Sequence, residues 1–150
     1  MLETTVHLHK ETLKNIDQAA QKLKIARSYL IRILLKQLMS ENFKPKIFTS
    51  SIKYQKKDSK SNWKIIHLTI KNDEYEYFLD LRKIYKMSLS FLIAYAAKKL
   101  LKNLLSKLEP RFISNINIFL YHNYVFCLKV INGVKYLSHY WGIPDVQLLI

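Results

Sequence analysis

Thr5, His7 and His9 recur at every second position near the start of the chain, and His67, Thr69 and Lys71 do so farther on. Alternation of this kind sets each trio on one face of a strand. Val6 and Leu8, or Ile66, Leu68 and Ile70, fall on the other face. The two trios carry hydroxyl, imidazole and ammonium groups, a set of hydrogen-bond donors and acceptors with no acid among them. His7, His9 and His67 could instead ligate a metal ion. Neither cysteine nor carboxylate interleaves with them, and no metal site is assigned. Cys127 is the only cysteine, and His122 or His139 could join it as a nucleophile or ligand pair. Within "NYVFCLKVI" it reads instead as a strand residue turned to the core. The chain has no Gly-rich phosphate loop and no paired-acid motif, and its two glycines are Gly133 and Gly142. The reading is therefore non-enzymatic, with no cofactor.

The elements that hold these residues must come from a chain of 150 residues, enough for one ordinary domain or two very small ones. Hydrophobic residues make up 49%, sufficient for a real core. Lys or Arg interrupts the apolar runs well before the ~20 residues a membrane span needs. "MLETTVHLHKE" lacks the layout of a secretory signal, and a lone cysteine suits a reducing compartment, so a cytoplasmic setting is expected. The formal charge is +14, from 25 basic and 11 acidic residues. That excess favours a polyanion as partner, nucleic acid before an anionic membrane surface. Residues 43–62, "FKPKIFTSSIKYQKKDSKSN", hold 6 lysines and 1 aspartate with no helical period. They read as a basic linker, either a solvated spacer or an additional arm on phosphates.

A repeat organises the rest. Shifting the chain by 62 residues without a gap lays "ARSYLIRIL" (26–34) on "SLSFLIAYA" (88–96). Val6 and Leu8 then fall on Leu68 and Ile70. Leu13, Ile16, Ala19 and Leu23 fall on Tyr75, Phe78, Leu81 and Tyr85, and Leu34 and Leu38 on Ala96 and Leu100. Each copy predicts a strand and then a helix opened by acids, Glu11 in one and Asp73-Glu74 in the other. A second, more apolar helix follows, with Ser28 or Ser90 expected as its cap.

The strand "TVHLHKE" and the turn-plus-helix "LKIARSYLIRILLKQL" (23–38), with the second copy "YKMSLSFLIAYAAKKLL" (85–101), resemble the ribbon-helix-helix (MetJ/Arc-type) DNA-binding superfamily. Ile25, Arg27, Ser28, Leu30, Ile31 and Arg32 carry the likeness, as do Met87, Ser88, Ser90, Leu92 and Ile93. Both copies place lysine, Lys24 and Lys86, where the family usually has glycine. A left-handed backbone there would cost a lysine roughly 1 kcal/mol.

The resemblance implies an α+β fold of tandem ribbon-helix-helix repeats forming an intramolecular pseudo-dimer: a two-stranded antiparallel ribbon plus four helices, with a β-rich C-terminal extension. The parts are repeat 1 (1–42), the linker (43–62), repeat 2 (63–109) and the extension (110–150). It also implies sequence-specific binding of double-stranded DNA through a ribbon in the major groove, as a transcriptional regulator or repressor. Thr5, His7, His9, His67, Thr69 and Lys71 would then contact bases. Lys24, Arg27, Ser28, Lys86, Ser88 and Ser90 would contact phosphates at helix N-termini. The strand at 5–10 should pair antiparallel with the strand at 65–71 of the same chain. Two unlike strands escape the symmetry of a homodimer and could read a non-palindromic subsite.

Residues 111–150 lie outside the repeat. Asn132-Gly133 between β-prone runs signals a type I′ hairpin. The aromatic-rich extension suits a core cap, a chain-joining surface or a site for an effector or protein partner. Two rival readings follow. An antitoxin-like module would grip a partner through 110–150 while regulating itself on DNA. A non-specific basic module would bind any nucleic acid alike. Homo-oligomers on DNA are compatible with each.

Overall fold

Alternating apolar and polar residues build two strands of eight residues, β1 (Leu2–His9) and β3 (Trp63–Ile70), in a computed structural model that describes residues 2–40, 46–47, 51–107 and 124–141. They pair antiparallel from Leu2 opposite Ile70 to His9 opposite Trp63, forming a two-stranded sheet. Val6, Leu8, Ile66, Leu68 and Ile70 are buried on one side. The expected pairing within one chain is therefore present, and each strand begins earlier and ends one residue sooner than anticipated.

The register carries a further regularity. Thr5 lies opposite His67, the residue 62 positions on, while Thr4 faces Leu68 and Val6 faces Ile66. Exchanging each residue for its counterpart at that offset turns the last two pairs into one another. The pairing register is thus symmetric about Thr5 and His67, and the helix bounds follow the same offset. Helix α1 (Lys10–Leu23) matches α3 (Asn72–Tyr85), and α2 (Arg27–Ser40) begins 62 positions before α4 (Leu89–Lys107). These four helices and the ribbon make an α+β fold among the described residues.

Local chemistry explains the helix boundaries. Glu11 stands in the first turn of α1, where the helix dipole favours an acid. The helix ends with Lys24 in the left-handed region, at φ 56° and ψ 41°. There the amide of Lys24 donates to Gln21 O (3.1 Å) and that of Ile25 to Ala20 O (3.0 Å), the paired bonds of a Schellman ending. Lys86 closes α3 in the same conformation, at φ 54° and ψ 44°. Lys24 and Lys86 thus both sit where glycine would be favoured.

Helices α2 and α4 contribute matching sets of buried residues to the core. Leu30, Ile31, Leu34 and Leu38 are buried, and so are Leu92, Ile93, Ala96 and Leu100 at the corresponding sites. Helix α3 holds α2 by polar contacts as well. Arg32 pairs with the buried Glu74, its Nε donating to Oε1 at 2.7 Å. The other carboxylate oxygen of Glu74 accepts from the Lys71 amide at 3.0 Å, so one acid both caps α3 and anchors α2. The Tyr85 hydroxyl donates to Leu38 O at 2.8 Å, satisfying a carbonyl in the last turn of α2.

The extension contains a hairpin of β4 (Tyr124–Ile131) and β5 (Val134–Trp141), with β2 (Lys46–Ile47) added along β5. Asn132 and Gly133 both take positive φ, 51° and 77°, as a type I′ turn demands. Cys127 lies in β4 opposite Ser138; the burial of its side chain, residues 110–123 and the stretch after Trp141 lie outside the described residues. Among the described residues, no helix is long and apolar enough to cross a membrane.

Lys24 is exposed, so Lys24→Gly should remove backbone strain with little lost packing. Urea unfolding should show a gain of up to ~1 kcal/mol. Lys86 is only 8% exposed, and Lys86→Gly should gain less because it also removes a buried stem.

Candidate nucleic-acid interface

The ribbon face turned from the core presents Glu3, Thr5, His7 and His9 on β1, opposite Thr69, His67, Ile65 and Trp63 on β3. Five of the six anticipated base-contacting residues therefore share one face. Lys71 has the same parity but lies past the last paired residue, as the residue preceding α3. Three further residues complete the face: Glu3, Ile65 and Trp63. Ile65, 59% exposed, is an apolar group among polar ones. Glu3 brings an acid to a face expected to have none, and its carboxylate lies 3.2 Å from His67 Nδ1. Continuing the alternation backwards from Thr5 would have found Glu3.

The histidines differ in their freedom. His9 is tied into local structure: its Nδ1 accepts from the Glu11 amide at 3.2 Å, capping α1. Its ring also meets Trp63 edge-on, with centroids 5.5 Å apart. The His7 amide donates to Ser90 Oγ at 3.1 Å, and its Nδ1 lies 3.2 Å from Lys57 Nζ. No group of three His, Cys, Asp or Glu side chains among the described residues could hold a metal ion.

The anticipated phosphate contacts also separate. Ser28 and Ser90 do not cap their helices: α2 starts at Arg27 and α4 at Leu89, one residue before each serine. Ser88 is the cap of α4, its Oγ accepting from the Phe91 amide at 3.3 Å. Its counterpart before α2 is Ala26, which has no side chain able to cap. Ser90 instead ties the first turn of α4 to β1. Arg27 is paired with Asp17 at 2.6 Å in a half-exposed bridge, and must exchange that partner to meet a phosphate. Lys24 is open to solvent, whereas Lys86 is buried. The two helix starts are therefore unequal.

The described part of the linker enlarges that difference. Lys53 N donates to Lys86 O at 2.8 Å, and the Ser88 amide donates to Lys53 O at 2.9 Å. One amide at the start of α4 thus already has an acceptor. Farther along, Gln55 Nε2 donates to His7 O at 3.2 Å. Asp58 then accepts from the Trp63 indole at 2.8 Å. Residues 53–58 form a strap across the free edge of β1, which composition alone left as a spacer or arm. The Trp63 indole and the Ser59 amide hold the Asp58 carboxyl below its ordinary range.

No family model, curated protein or solved structure matches the chain.

Because the folded-state pKa of Asp58 is lowered, its bond to Trp63 is fully formed above the ordinary carboxylate range. The bond is lost as pH falls through the lowered value. In a Trp141→Phe background, Trp63 fluorescence should show an acid transition below that range. Asp58→Asn should abolish it, while a transition that persists unchanged would assign it elsewhere.

Proposed function

We propose that the chain binds double-stranded DNA by laying the β1–β3 ribbon in the major groove, and that it acts as a transcriptional regulator. The observation that carries this reading is the solvent-facing ribbon of Thr5, Ile65, His67 and Thr69 on a chain of net charge +14. The major groove admits a two-stranded ribbon, and these side chains suit its floor. Threonine can accept, donate or offer its methyl. Imidazole can donate to guanine O6 or N7. Ile65 supplies an apolar partner for the thymine methyl, and Glu3 an acceptor for cytosine N4.

The resemblance to ribbon-helix-helix proteins supports the same reading. So does the pairing register, symmetric about Thr5 and His67, with a pair of helices following each strand. The start of α2, which follows Ala26 rather than a capping side chain and has Lys24 nearby in sequence, suits a backbone phosphate. The start of α4 meets the DNA through the strap lysines instead. Unequal strands and unequal flanks favour a site that is not palindromic.

Selection from a randomised duplex pool tests the proposal: retained sequences should share a short, non-palindromic motif. Retention without sequence preference would leave a non-specific basic module. On the selected duplex, Thr5→Ala or His67→Ala should each relax preference at one or two base pairs by ~1–3 kcal/mol. Replacing Lys56 and Lys60, both exposed on the linker side, should weaken specific and scrambled duplexes alike and reduce the salt dependence. Equal behaviour of the two sets would remove base reading from the ribbon.

A further inference from the structure

A cavity of about 350 Å³ lies where the free edge of β1, the outer side of α3, the first turn of α4 and the strap come together. That volume is at the lower end of the ~300–1,000 Å³ typical of small-molecule sites. Arg82, Lys57 and His7 contribute the basic groups of its wall, and Tyr54, Tyr75 and Phe78 contribute aromatic surface. No carboxylate is among the described residues that line it.

The scaffold does not account for these groups. Arg82 stands 62 positions after Ala20, a small residue buried in the core. Its Nε is buried and has no hydrogen-bond partner among the described residues. Tyr75 is 41% exposed, whereas Leu13, its counterpart, is buried. The strap that brings Tyr54 and Lys57 is a feature of this end of the ribbon. Arg82 and Lys57 both line the cavity with no carboxylate in the described wall, so an oxyanion entering it meets cationic side chains without an acidic competitor. Guanidinium groups match flat oxyanions, and aromatic side chains offer faces and edges to a ring.

We propose that this cavity binds a small aromatic anion: a molecule carrying a phosphate or carboxylate together with an aromatic ring. The anionic group meets Arg82 and Lys57, and the ring lies against Tyr54, Tyr75 and Phe78. Because His7 and Thr5 belong to both the cavity and the ribbon face, occupancy would alter DNA binding. That consequence alone rests on the DNA-binding reading; the binding itself does not.

The test is calorimetric titration of the full chain without DNA, using adenosine monophosphate, phenyl phosphate and benzoate, with inorganic phosphate as the ringless control. Ring-bearing anions should saturate one site per chain and bind more tightly than inorganic phosphate. Arg82→Ala should weaken them by roughly tenfold or more, as expected for loss of a charge-assisted contact. Tyr54→Ala, on the exposed strap, leaves the helices untouched and should weaken ring-bearing anions but not inorganic phosphate. Absence of saturation across the series, or affinity unchanged in both variants, overturns the proposal. It is also overturned if no free anion binds while Arg82→Ala weakens duplex DNA, since the cavity would then hold a backbone phosphate. Anion binding by a chain that fails to retain any duplex would uphold the site and remove the DNA-binding reading.

Discussion

The pairing of β1 with β3 is the constraint on which the rest of the structure depends. A two-stranded ribbon is marginal by itself, because it buries one face only when something covers that face. Val6 and Leu8 from one strand and Ile66, Leu68 and Ile70 from the other need the same cover, which α2 and α4 help to provide. Slipping the register by one residue would turn those side chains outward. The same register puts Thr5 opposite His67 and so fixes which residues reach solvent together.

Around that shared frame the two halves are completed differently. Helix α4 receives a serine cap and a strap carbonyl, whereas α2 starts after an alanine and pairs Arg27 with Asp17. Helix α3 grips α2 through Glu74, Tyr77 and Tyr85, with the Tyr77 hydroxyl 3.1 Å from both Leu35 O and Lys36 O. Asn15, the counterpart of Tyr77 in α1, cannot reach in the same way. These differences leave the core arrangement intact while changing the groups at each end of the ribbon. They are the physical source of the asymmetry assigned to the binding face and of the basic, aromatic lining that Arg82, Lys57, Tyr54 and Tyr75 give the cavity at the strap.

Much of the frame was legible because it rests on period and offset. Alternation located both strands, the 62-residue shift located the helix pairs, and Asn132-Gly133 located the hairpin turn. A resemblance to a pattern with glycine at these positions pointed to the left-handed residues Lys24 and Lys86. Site detail was less legible, for identifiable reasons. Helix starts moved by two residues, giving the cap to Ser88 and assigning Ser90 to the His7 amide. Contacts of Lys53, Gln55 and Asp58 with distant residues leave no periodic trace in a basic, serine-rich stretch. The exposed Ile65 interrupts a polar pattern, and Glu3 lies before the part of β1 where alternation is clearest.

The central claim is that the face carrying Thr5 and His67 occupies the major groove of DNA. Dimethyl sulfate probes this directly, since it methylates guanine N7 in the major groove and adenine N3 in the minor groove. On a duplex recovered by selection, the bound chain should protect guanine N7 over one short interval while leaving adenine N3 reactive there. Protection of adenine N3 with guanine N7 still reactive would place the chain in the other groove and contradict the account.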